Sequence, residues 1–204
     1  MNKKVVMFLA AGLFLTGLNL WAEEAATPAP MDAATAAKME AMKKLGAPNE
    51  NHKALEPFVG SWNATVQWRM SPDSNTDKSQ GTSYNHWILD DRFVQEVFKG
   101  TSMGQPLSGI GFLGYDNIRG EYTSVWLDNM STGIMVSSGQ YDAAEKTISK
   151  SGTVSCPMTG EKSRPVRSVC QVVDKDHYTL KMYMNDKDGK EFKAMEIEYE
   201  RVVV

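Results

Sequence analysis

Cysteine and histidine are scarce in this chain, basic runs are missing, and only one apolar stretch is long. Each shortage removes a class of function. Two cysteines, Cys156 and Cys170, are too few for a scaffold built on disulfides, and no CxxC spacing offers a redox pair. A single bridge between them is the expectation in an oxidising compartment, because their segments flank the turn-rich stretch PMTGEKSRP; two buried thiols are the alternative. The three histidines, His52, His86 and His177, lie far apart, with no partner at metal-ligand spacing. No HExxH, Gly-x-Ser-x-Gly or glycine-rich phosphate loop occurs, and Asp90-Asp91 and Asp116-Asn117 read as turn residues. No catalytic constellation, metal site or cofactor is therefore expected. A net charge of −3 without a basic block gives no electrostatic basis for binding nucleic acid.

The one long apolar run stands at the start. Lys3 and Lys4 precede Val5 to Leu20, about 16 residues and short of a membrane span, and small Ala22 is followed by Glu23 and Glu24. This is the pattern of a cleavable secretory leader. It predicts a signal peptide over 1–22 with cleavage after Ala22, a periplasmic or secreted product, and no stable membrane insertion afterwards. Residues 23–48 are rich in Ala, Pro and Met and read as a tether. A short helix there would be capped by Asp32 and would end at Leu45, with Gly46 and Pro48 beyond it. The domain proper is expected over 49–204. It begins with a second helical turn in NENHKALEPFVG, capped by Asn49 or Asn51, with Leu55 and Phe58 pointing one way.

From Trp62 onward the texture becomes that of strands. Ten segments rich in Val, Ile, Thr, Tyr, Phe and Trp alternate with turn residues: 61–70, 79–89, 92–102, 105–115, 119–128, 131–141, 145–156, 164–173, 176–185 and 190–201. No separator is long enough for a crossover helix, so neighbours should pair antiparallel. Ten strands in an open sheet would expose two long edges, whereas closure into a barrel removes them. The predicted fold is all-β, an up-and-down meander closing into a barrel, with two packed sheets as the alternative.

Gly60-Ser61-Trp62, just after the helical turn and at the start of the first strand, resembles the Gly-x-Trp signature of lipocalin-like barrels. That resemblance implies that Trp62 plugs the closed end and that Arg201, in the terminal EIEYER, packs across its indole. Longer runs, HKALEPFVGSW, NHWILDDRFVQEVFKG, GIGFLGYDN, WLDNMSTGIM and GKEFKAMEIEYER, are similar to the bacterial domain-of-unknown-function family 1579. The resemblance covers nearly all of the chain after the leader. It implies a calycin-type barrel but carries no mechanism.

If Trp62 faces inward, alternation puts Ala64, Val66 and Trp68 beside it and turns Asn63, Thr65, Gln67 and Arg69 outward. Met182 and Met184, with Tyr178 and Leu180, make an apolar face on the ninth segment. The thirteen methionines do not cluster with histidine as copper-handling segments do, and read as adaptable core filling. The functional expectation is a small apolar or aromatic ligand held inside the barrel among Trp62, Val66, Trp68, Trp87, Trp126, Met135, Met182 and Met184. The alternative is a packed barrel without ligand that serves as a structural or interaction module for a protein partner.

Overall fold

Among the described residues regular structure begins after Asp32, whose carboxylate accepts the Thr35 backbone N–H at 2.9 Å and caps helix α1, Ala33–Leu45. The computed structural model describes residues 31–156 and 159–203, so the leader over 1–22 and the first part of the tether lie outside the described residues. No residue of α1 is buried. Its C-terminal end is nevertheless fastened to the domain. Arg92 donates to the Gly46 carbonyl at 3.0 Å, and Asn117 donates to the Leu45 and Ala47 carbonyls at 2.7 and 2.8 Å. A one-turn helix α2, Glu50–Lys53, follows behind a capping box of Asn49 and His52. A 3-10 turn, Glu56–Phe58, then brings Leu55 and Phe58 into the end of the barrel, where both are buried.

The ten predicted segments are ten strands, displaced by a few residues at most: β1 Gly60–Trp68, β2 Asp77–Ile88, β3 Phe93–Ser102, β4 Gln105–Asp116, β5 Glu121–Asp128, β6 Met135–Asp142, β7 Thr147–Val154, β8 Arg164–Val172, β9 His177–Asn185 and β10 Glu191–Arg201. Each pairs antiparallel with the next, and β10 pairs with β1, so the sheet closes on itself. The alternative of two packed sheets is not formed. Burial on β1 alternates as expected: Trp62, Ala64 and Val66 are buried, while Ser61, Asn63 and Thr65 are exposed.

The β1–β10 seam carries a clasp. Trp62 lies directly opposite Arg201 in the register, only 1% exposed, and its indole N–H donates to the Phe58 carbonyl at 2.9 Å. The Arg201 guanidinium lies 4.0 Å from the centre of that indole. It also donates to the carbonyls of Val59 at 2.8 Å, Pro57 at 3.2 Å and Lys175 at 3.0 Å. These three bonds tie the entering 3-10 turn, the last strand and the β8–β9 turn together. Gly60 makes the approach possible. Its φ is +133°, and a Cβ there would stand 2.3 Å from Arg201 Nη1. Above the clasp, Tyr178 meets both Phe58 and Trp62 edge-on and stacks flat on Tyr199 at 4.1 Å. Leu55, Tyr122 and Ile148 fill the remaining space, so this end of the barrel is solid.

The expected disulfide is not formed: Cys156 and Cys170 are not joined to each other. The register gives the reason. Val154 pairs with Arg164 and Ile148 with Cys170, so Cys156 sits at the β7–β8 turn while Cys170 lies six residues down β8 from Arg164. At about 3.3 Å per residue that is roughly 20 Å, several times the Cα separation a bridge tolerates. Burial raises the Cys170 thiol pKa, which makes it a poor nucleophile.

Replacing Arg201 by Ala should lower stability by about 2–4 kcal/mol, from one cation–π contact and three charge-assisted hydrogen bonds. Lys should recover less than half of this, because an ammonium cannot both lie flat on the indole and donate in three directions. Urea unfolding midpoints of the two variants check both statements.

Candidate functional site

Above the plug the barrel is hollow. A lumen of about 990 Å3 runs to the opposite end, where the β1–β2, β3–β4, β5–β6, β7–β8 and β9–β10 turns surround a mouth. Its wall is mainly apolar, with Val66, Trp68, Phe98, Trp126, Met135 and Met182 among its residues. The Trp126 indole lies against β4, where two inward positions are glycine. A Cβ on Gly109 would come within 2.3 Å of the ring, and one on Gly111 within 3.3 Å. Trp126 is fixed at its edge by a 2.8 Å bond from Nε1 to Asp128. Met70, Met103 and Met130 stand on three separate turns of the mouth, so flexible thioethers border the opening as well as line the wall.

Six of the eight residues expected to face a ligand do line this space: Val66, Trp68, Trp126, Met135, Met182 and Met184. Trp62 and Trp87 do not. Trp62 belongs to the plug. Trp87 shares the inward phase of Ser83 and Asn85, but Asn85 already pairs with Gly60, the first residue of β1. Trp87 therefore lies beyond the floor, where its N–H donates to Glu56 of the 3-10 turn at 2.8 Å. Both tryptophans hold the closed end together. The histidines are elsewhere too. His52 is buried beside Tyr115 at the closed end, His86 stacks on Tyr84, and His177 meets the Asp174 carboxylate at 2.9 Å. Among the described residues no cluster of three metal-binding side chains occurs.

Between the plug and the apolar wall lies a polar layer. Glu96 of β3 accepts hydrogen bonds at one carboxyl oxygen from the hydroxyls of Ser83, at 2.8 Å, and Tyr199, at 3.3 Å. The Ser83 oxygen also lies 2.7 Å from Asn85 Oδ1, and the Asn85 amide donates to the Phe58 carbonyl and to Tyr178. Burial raises the Glu96 pKa above the usual carboxylate range, against the opposing pull of Ser83, Tyr199 and Lys150. Burial, and then the Glu96 charge, hold the Tyr178 and Tyr199 hydroxyls well above their ordinary value. On the facing side Lys150 of β7 is 7% exposed, pairs in register with Ser168 of β8, and lines the lumen. Ser137 and Ser124 complete the layer with a 2.8 Å hydroxyl contact.

The layer has a signal in the sequence. Glu96 stands between Val94 and Phe98, and Lys150 two residues after Ile148, so each is a charge in the phase of the buried face. Alternation within each strand gives the phase, but that the two charges share one depth follows only from the register across the barrel.

Fold and lumen together define the protein as a closed ten-stranded antiparallel barrel with a hollow, mixed-polarity interior. A family described as "Protein of unknown function (DUF1579)" matches residues 47–201, and the chain belongs to that family. It is similar in fold to the crystal structure of Rv2717c from M. tuberculosis, at 14% identity and a TM-score of 0.58, with 77% of this chain and 100% of that one covered. A de novo designed fluorescence-activating beta barrel aligns at 17% identity and a TM-score of 0.40, over 73% of this chain and 97% of the design. At these identities the Rv2717c likeness concerns the barrel alone. No curated protein matches the chain.

The raised pKa of Glu96 gives a prediction with a definite sign. The contribution of this group is fully present below its ordinary value of 4.5 and is lost as pH rises through 4.5 toward the higher folded value, because the unfolded chain ionises first. Glu96→Gln should therefore gain stability relative to the wild type over the interval that opens as pH rises above 4.5. Melting temperatures of both proteins across that interval check it.

Proposed function

We propose that this chain is an exported binding protein for a small apolar or aromatic molecule, held in the lumen of the barrel. The observation that carries the reading is the lumen itself: about 990 Å3, open at one end and walled by Val66, Trp68, Trp126, Met135, Met182 and Met184. This is the upper end of the range of small-molecule sites, and filling it would remove a large apolar surface from water. Such a hollow argues against the packed interaction module, which would need the same side chains to meet at the centre. The export half of the proposal rests on Lys3, Lys4, the run from Val5 to Leu20 and the small residue Ala22.

Two measurements test the two halves. When the full chain is expressed with its leader in a bacterial host, protein recovered from outside the cytoplasm should begin at Glu23; retention of Met1 through Ala22 on the cytoplasmic side would reject export. For binding, the neutral fluorophore N-phenyl-1-naphthylamine should enter with about micromolar affinity and quench Trp68 and Trp126. Met182→Trp, which fills the middle of the lumen, should weaken it by about tenfold or more. Absence of any fluorescence change, or equal binding by the filled variant, would reject the lumen as the site.

A further inference from the structure

The floor of the lumen is built for something other than an apolar group. Lys150 brings a primary ammonium to a position 7% exposed, yet among the described residues no hydrogen bond or ion pair reaches it. Its donors are therefore left to whatever occupies the lumen that it lines. Glu96 acts on it electrostatically but stands beyond ion-pair reach, and its Oε1 is engaged by Ser83 and Tyr199. The other cations of the lining, Arg69, Arg164 and Lys187, belong to the mouth. One unpaired positive charge thus lies at the bottom of an apolar shaft. From Lys150 to the last residue of β7, Val154, the shaft is about 13 Å deep by strand rise.

Granting that the lumen is a binding site, we infer that its occupant is an amphipathic monocarboxylate, bound head-down with its carboxylate on Lys150 and its tail along the wall of tryptophan and methionine. Three features select this chemistry. The lone cation calls for a negative charge at the head of the ligand. The hydroxyls of Ser137 and Ser168, both buried beside Lys150, are donors for the second carboxylate oxygen. The apolar part of the wall rewards a tail, which a compact anion lacks.

Displacement of N-phenyl-1-naphthylamine from the full barrel domain tests this, with dodecanoate, dodecan-1-ol and dodecyltrimethylammonium as competitors below their micelle concentrations. Dodecanoate should displace the probe at a concentration about tenfold or more below that of the alcohol, and the ammonium should be the weakest. Lys150→Met should bring dodecanoate to the level of the alcohol, each competitor being read against the probe affinity measured for that same variant, and Lys150→Arg should keep the preference. Without ligand, Lys150→Met should melt at a higher temperature than the wild type, since it removes an unpartnered charge; if it misfolds, Lys150→Gln makes the same comparison. Equal displacement by acid and alcohol in the wild type, or a preference that survives loss of the Lys150 charge, overturns the inference. Failure of the neutral probe to bind overturns the lumen site itself, whereas binding of the probe without a carboxylate preference overturns this inference alone.

Discussion

Where β1 meets β10, a guanidinium lies over an indole, and the rest of the molecule depends on that contact. A meander of ten strands has no local reason to close: each hairpin satisfies itself, and only the first and last strands gain from meeting. Arg201 adds to the backbone ladder of this seam a contact with Trp62 and three bonds to carbonyls on either side of it. Those carbonyls belong to a 3-10 turn and a strand connection that would otherwise leave acceptors unpaired at a buried end. The same group therefore shuts the sheet, holds the entering chain and completes the plug. A hollow can exist above it because the structure below is solid.

The lumen sets stability against use. A barrel selected for stability alone would fill its centre and keep charge out of it. Here Glu96 is anchored by hydroxyls, whereas Lys150 is left without an acceptor, and the two stand in a layer that separates an apolar plug from an apolar wall. Placing the polar groups at the bottom of the shaft, away from bulk water, strengthens whatever they bind. The methionine-lined opening is the compliant part, and the tyrosine and tryptophan stacks beneath it are the rigid part.

Much of this was readable in the sequence. The ten strands announced themselves by turn residues at short intervals, and the helix from Ala33 to Leu45 by Asp32 and Gly46 at its ends, because these signals are local. The pairing of Trp62 with Arg201 followed from family resemblance and is met in the register. What escaped was anything set by how far one strand slides past its neighbour. Trp87 has the inward phase but overshoots the floor. Cys156 and Cys170 flank one hairpin yet stand about 20 Å apart along it. Glu96 and Lys150, in different strands, become one layer only when the barrel closes. Phase is written in each strand; depth is written in the whole circuit.

The fastening of α1 to the turns around Arg92 and Asn117 has a geometric consequence. The segment before β1 arrives at the sealed pole of the barrel, and Arg201 leaves from that same pole, so the described chain enters and leaves the barrel opposite its opening. The two crossings of chain into barrel therefore share one pole, and no strand has to pass the mouth to enter or leave the sheet.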